Sequence, residues 1–221
     1  MDGVKALLKE RVLDILYPPR VSCCACGREA ALDEDGFCID CRMGLEVFNS
    51  APPLKNISGY TAAYVYNDVS GQMVKRLKYN GAKYLARELA RAIQLRSDWK
   101  IDAVVPVPLH FKRESKRGYN QSLLIAKHLC RRLKLKLEPR LLLRKRDTKP
   151  QARMTAAGRR RNLKGSFIAD EACQGLNVLL VDDVRTTGST LEECAAALKK
   201  CGCGNIYAAT ACFAEPKTGE K

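Results

Sequence analysis

Apolar residues follow two rhythms along this chain, and each change of rhythm marks an element. Ile101–Val107 (IDAVVPV), Val178–Val181 (VLLV) and Asn205–Cys212 (NIYAATAC) are short runs without a polar face. They predict strands covered on both sides, as in a parallel sheet. Tyr60–Tyr66 (YTAAYVY) also has strand character, and Leu141–Leu143 and Phe167–Ala169 are shorter candidates. Helical spacing appears at residues 4–17, where Val4, Leu7, Leu8, Val12, Ile15 and Leu16 share a face that ends at Pro18-Pro19. It returns from about Ser70 to Asn80-Gly81, from Ala82 to about Leu95, in a helix ending near Leu135, and from about Thr190 to Lys200 before Gly202. Strands alternating with helices predict an α/β fold.

Two stretches break the pattern. Residues 49–58, with Pro52-Pro53, read as a linker. Lys145–Lys164 holds little that is apolar and is long for a loop in a compact domain, which reads as a lid or binding loop or else as a disordered basic loop. The expected organisation is an amphipathic helix at 1–20, a small module at 21–50 and an α/β domain at 59–215.

The small module is read from its cysteines. Five of the eleven lie between Cys23 and Cys41, and the other six are scattered through apolar or helical contexts. Cys23-Cys-Ala-Cys26 and Cys38-Ile-Asp-Cys41 form two CxxC units, so Cys23, Cys26, Cys38 and Cys41 can close a tetrahedral zinc site, with Cys24 able to replace Cys23. Four ligands leave no open position, so the zinc would be structural. A thioredoxin-like redox pair is the other reading, and two CxxC units without a preceding strand disfavour it.

The chemistry gathers at Val178-Leu-Leu-Val-Asp-Asp-Val-Arg-Thr-Thr-Gly-Ser-Thr190. A buried strand runs into two carboxylates, then a hydroxyl-rich turn that opens a helix, the place where open α/β sheets bind ligands. Backbone N–H groups and the helix dipole favour an anion there; Thr186, Thr187, Ser189 and Thr190 add hydroxyls, and Gly188 permits close approach. Asp182 and Asp183 would repel a bare polyphosphate and need hydroxyl donors or a metal, which a ribose 5-phosphate satisfies at both ends. A plain helix cap would need only Ser or Thr and leaves the acid pair unexplained. Neither GxxxxGK[ST] nor the spaced glycines of a dinucleotide site is present.

Charge changes the picture once more. The formal net charge is +15, and Lys112–Lys164 alone carries 19 basic against three acidic residues, while the rest holds 20 and 21. This segment can hold pyrophosphate, nucleic acid or both, or serve as a solvated basic face. A basic loop after Ile101–Val107 would face the acid-pair cleft, with Arg113 and Arg117 forking onto pyrophosphate and His110 within reach. His128 reads as a surface or partly buried residue. Arg153, in the long loop, would neutralise leaving-group charge. No apolar run approaches the roughly 18 residues of a membrane helix, and the first twenty residues are unlike a signal peptide, so a cytoplasmic protein is expected.

Together the double CxxC module, Leu77-Lys-Tyr-Asn-Gly81, Val105-Pro-Val-Pro-Leu109, Arg117-Gly-Tyr-Asn-Gln121, Gln151–Asn162 and Val181–Thr190 resemble the ComF family, competence-associated phosphoribosyltransferase-like proteins of bacteria. The resemblance runs from Cys23 to Phe213. It implies an N-terminal zinc ribbon on a type I phosphoribosyltransferase domain, with a Rossmann-like parallel sheet and flanking helices. It implies phosphoribosyl pyrophosphate (PRPP) as ligand, with Asp182 and Asp183 on the ribose hydroxyls, Thr186–Thr190 on the 5-phosphate and Mg²⁺ carried mainly on PRPP. It also implies a part in DNA uptake and natural transformation, with single-stranded DNA and a competence helicase as partners. If the chain catalyses, pyrophosphate is displaced at the anomeric carbon by a nitrogen nucleophile, with Asp182, Asp183 and Arg153 in the reaction. Purine-salvage enzymes of the hypoxanthine-guanine type carry an acid where this chain has Thr186, which disfavours that activity.

Overall fold

The computed structural model describes residues 22–145 and 165–215. The amphipathic helix expected at 1–20 lies outside them, as do Arg153 and the rest of residues 146–164. The chain divides into two compact units at Gly44/Leu45.

The first unit is built around thiols. Its knuckle is closed by Gly27 N–H donating to the Cys23 carbonyl at 2.8 Å and Cys23 N–H to the Arg28 carbonyl at 2.9 Å. Gly27 (φ 77°) and Gly36 (φ 83°) take the left-handed turns that residues with a Cβ resist. One short helix, α1 (Ile39–Gly44), carries Cys41 inward. Arg42 pairs with Asp33 at 2.6 Å and with Asp35, and lies 4.8 Å over the ring of the buried Phe37.

The second unit is an α/β sheet. Four parallel strands, β1 (Gly59–Val65), β2 (Ala103–Pro106), β5 (Val178–Arg185) and β6 (Ile206–Phe213), lie in the order β1-β6-β5-β2. Every residue of β2 and β6 is buried, which accounts for the unbroken apolar runs in the sequence. Two short strands, β3 (Leu142–Arg144) and β4 (Phe167–Ala169), pair antiparallel as a separate ribbon, so Phe167–Ala169 does not join the main sheet.

Among the described residues, five helices complete the unit. They are α2 (Asp68–Tyr79), α3 (Leu85–Ala92), α4 (Phe111–Arg117), α5 (Gln121–Leu133) and α6 (Ser189–Lys200). α2 begins at a capping box in which Asn67 Oδ1 accepts from Ser70 N–H and Ser70 Oγ accepts from Asn67 N–H. The basic stretch after β2, expected as a loop, contains α4. His110 caps its start through Nδ1 and Gly118 (φ 81°) ends it, although no residue of α4 is buried.

Residues 49–58 differ from the linker reading. Leu54 joins the core, and Arg185 donates to the Pro52 carbonyl. Just before that stretch, Phe48 meets Tyr60 and Phe213 edge-on at 5.4 and 5.6 Å. Packing outweighs the Pro-Pro signal here.

Candidate functional site

The acid pair stands on the strand that outruns its neighbour. β2 stays paired with β5 only to Pro106 beside Val181, and Val107 N–H adds one last bond to the Val181 carbonyl at 2.8 Å. β6 follows β5 on to Arg185. Asp182 and Asp183 therefore lie within β5, not after it, on a length whose β2 side is open. This is the crevice beyond a strand end where parallel sheets receive ligands.

The cleft there encloses about 810 Å³. Asp182, Asp183 and Thr190 line one side; Lys112, Arg113, Lys116 and Arg117 from α4, with Arg144 from β3, supply cations. Tyr79 and Tyr119 add aromatic surface.

Local contacts set the acid wall. Asn120 caps α5 by accepting from Ser122 N–H at 3.0 Å, while its Nδ2 donates to the Val107 carbonyl at 3.1 Å. That pair of hydrogen bonds ties the start of α5 to the end of β2 and brings Gln121 and Ser122 onto the carboxylates. Ser122 Oγ donates to Asp182 Oδ1 at 2.7 Å, and Asp183 N–H to the same oxygen at 2.9 Å. Gln121 Nε2 donates to Asp183 Oδ2 and its Oε1 accepts from Arg117. From the end of α2, Lys78 Nζ sits 2.7 Å from Asp183 Oδ1, and Tyr119 OH holds that end by donating to the Leu77 carbonyl.

These surroundings shift Asp182 and Lys78. Burial, then the neighbouring Asp183 charge, push Asp182 up to about 7 against the pull of Ser122, the backbone and Lys78. Burial alone would lower the Lys78 ammonium, but the Asp183 carboxylate outweighs it and raises the pKa.

The turn beyond the acids is tight. Gly188 (φ 82°) caps α6, and a Cβ there would run into Leu54, so both conformation and space demand glycine. Thr187 and Ser189 share a hydroxyl hydrogen bond of 2.8 Å. The first N–H groups of α6 lack partners within the helix, which suits an anion.

Of the residues singled out in the sequence, Asp182, Asp183, Thr190, Arg113 and Arg117 come together around one cleft. Thr186, Thr187, Gly188 and Ser189 form the turn at its edge without lining it, and His110 is buried as the cap of α4. Arg153 lies outside the described residues. Sequence reasoning gave no role to Lys78, Gln121, Ser122 or Arg144. The Leu77–Gly81 and Arg117–Gln121 motifs contain Lys78 and Gln121 and were the available signal.

In the first unit the sulfurs of Cys23, Cys26, Cys38 and Cys41 all lie within 4.8 Å of one another. Tetrahedral zinc with Zn–S bonds near 2.3 Å places its sulfurs about 3.8 Å apart, and Cys26 and Cys38 are at 3.9 Å. Cys38 N–H donates to Cys23 Sγ at 3.4 Å, the outer-shell support a thiolate needs. Burial opposes ionisation of Cys26, yet hydrogen bonds from Arg28 bring it down to about 6. Burial and its three thiol neighbours push Cys41 up. The set fits a metal such as zinc. Cys24 is not part of it; its Sγ lies 3.9 Å from the Asp35 carbonyl.

A strand-borne acid pair before a hydroxyl turn and helix, on a parallel sheet, defines a phosphoribosyltransferase-type domain. The chain belongs to the phosphoribosyl transferase domain family, whose model matches residues 77–221. It is similar to competence protein F of Haemophilus influenzae, 34% identical over 61% of this chain and 63% of the relative. It is likewise 34% identical to the DNA utilization protein YhgH of Salmonella typhimurium, over 61% and 63% of the two chains. Competence protein ComFC of Bacillus subtilis is 28% identical over 81% of this chain and 72% of its own. The match thus spans less than two thirds of the first two relatives, and the expected ComF resemblance is met by these names. Among the described residues, no helix is long and apolar enough to cross a membrane.

Proposed function

We propose that the cleft binds PRPP with Mg²⁺ and transfers its phosphoribosyl group to a nitrogen nucleophile, in a protein that works in the cytoplasm on DNA taken up by the cell. The observation that carries this reading is one cleft lined both by the acid pair Asp182-Asp183 and by the cations Lys112, Arg113, Lys116 and Arg117. Asp182 and Asp183 accept from the ribose hydroxyls, and Thr186–Thr190 with the first turn of α6 hold the 5-phosphate. Arg113 and Arg117 take the pyrophosphate, whose departure leaves an electron-poor anomeric carbon for the nucleophile. Mg²⁺ supplies charge neutralisation on the pyrophosphate when bound. Rate then comes from orienting the nucleophile and from cations placed where charge develops. The DNA context rests on the relatives' names, competence protein and DNA utilization protein.

A second reading rests on the rim. Tyr79 is 72% exposed with Arg117 5.1 Å over its ring, and Phe111 is 65% exposed at the start of α4. Such a surface stacks bases of single-stranded nucleic acid without chemistry. A competence helicase remains a partner of either reading.

The test is pyrophosphate release from PRPP and Mg²⁺ with ammonia and a panel of nucleobases, run beside single-strand binding at several salt concentrations. Release with any nucleophile supports the transferase. Its absence, with a binding slope of about −0.7 per phosphate contact, supports the second reading.

A further inference from the structure

Away from the cleft, Cys173, Cys201 and Cys203 converge from two stretches of chain. Cys173 closes a 3₁₀ turn (Glu171–Cys173) between β4 and β5; Cys201 caps the end of α6, and Cys203 follows Gly202. The stretches are laced together. Gly175 N–H donates to the Gly202 carbonyl at 2.9 Å, Gly204 N–H to the Leu176 carbonyl at 2.8 Å, and Cys203 Sγ lies 3.0 Å from that same carbonyl. Cys201 Sγ lies 3.8 Å from the Ala169 carbonyl, and Cys173 Sγ 4.0 Å from that of Leu198. Gly202 (φ 83°) makes the turn between the two later cysteines. The same Leu198 carbonyl accepts from Cys201 N–H and from Cys203 N–H, each at 3.1 Å, so all three cysteines gather around one oxygen. Exposure is graded: Cys173 is fully buried, Cys203 is buried and Cys201 is half-buried.

We propose that these three cysteines form a thiol–disulfide exchange site that is entered at Cys201, closed by Cys173, and takes a small-molecule disulfide such as oxidised glutathione as co-reactant. The Cys201 thiolate attacks one sulfur of the small disulfide. One protein–glutathione bond forms, and the first glutathione thiolate leaves with the proton that Cys201 gave up. Cys173 then attacks the Cys201 sulfur, the second glutathione leaves with the Cys173 proton, and a Cys173–Cys201 disulfide remains. Two protein thiols are oxidised and one small disulfide is reduced to two thiols.

The order follows from the surroundings. Burial and the two neighbouring thiols push Cys173 up to about 12, so it does not start the exchange. Once Cys201 is capped it carries no charge, and one of the neighbours that hold Cys173 up is gone. Cys203 can next attack Cys173, moving the bond inward and freeing Cys201. Either bond fastens the end of α6, whose beginning carries the phosphate turn, to the connection leading into β5.

The test treats the metal-retaining full chain with oxidised glutathione, alkylates the remaining thiols and maps tryptic peptides. Cleavage after Lys164, Arg185, Lys200 and Lys217 places Cys173 in peptide 165–185 and Cys201, Cys203 and Cys212 in peptide 201–217. The expected product is the two peptides joined with loss of two hydrogens, abolished in Cys201→Ser and retained in Cys203→Ser, both melting as the parent does. Cys201 left as a glutathione adduct beside alkylated Cys173 would overturn the proposal. So would a linkage that persists in Cys201→Ser, or three thiols that stay fully alkylated.

Discussion

The two walls of the cleft are held in opposite ways. The acid wall belongs to the sheet: Asp183 is buried, both carboxylates accept from α5, and Lys78 reaches in from α2. The cation wall stands on α4, a seven-residue helix that buries nothing and is held by its His110 cap and its Gly118 turn. Burying like charges is costly, so the acids need partners from several elements; from α4, Arg117 reaches back to that wall by donating to Gln121 Oε1. On the proposed function, the fold sets the sugar end in advance and places the pyrophosphate end on a helix that buries no residue of its own.

Lys78→Met attacks the set wall and should have the largest effect on stability. It leaves Asp183 buried without its ion partner, at a cost of about 3 kcal/mol, read as a fall in melting temperature of roughly 5–10 °C. An unchanged melting temperature would mean that the acid wall is no more prearranged than the other. Arg113→Ala with Arg117→Ala removes the adaptable wall. PRPP affinity should fall roughly ten- to hundredfold, as for lost hydrogen bonds to charged groups, with the melting temperature within about 2 °C. A collapse of the fold would show that α4 is structural.

The remaining effect is in pH. Asp182 is raised in the folded chain from 3.8 to about 7, so the folded state holds an extra proton between those values. Stability on this account is greatest below 3.8 and is lost as pH rises through about 7. Melting curves of the parent minus those of Asp182→Asn should show that loss, and a flat difference would mean the carboxyl is not raised.

Much of this was legible in the sequence because it is local. An apolar run ending in Asp182-Asp183 and a Gly-Ser-Thr turn encodes strand, acids and helix start within thirteen residues, and paired CxxC units encode the four-sulfur cluster. The partners of the acids are not local. Lys78, Gln121 and Ser122 reach Asp182 and Asp183 only because Asn120 ties α5 to the end of β2 and Tyr119 ties the end of α2 to the turn between α4 and α5. No periodicity reports such ties. α4 was hidden for another reason: an exposed, charged helix has no apolar stripe, although His110 and Gly118 stood at its ends as caps. Residues 49–58 read as a linker because Pro52-Pro53 is visible in sequence, while the packing of Leu54 over Gly188 is not.

The most direct measurement is calorimetric titration of the full chain with PRPP and Mg²⁺, beside Asp182→Asn, Asp183→Asn. The double variant keeps the shape of the wall and removes its charge. The account predicts heat of binding in the parent and at least a hundredfold weaker binding in the variant, about 3 kcal/mol or more. Equal affinity in the two would contradict it, as would a folded parent that binds no PRPP.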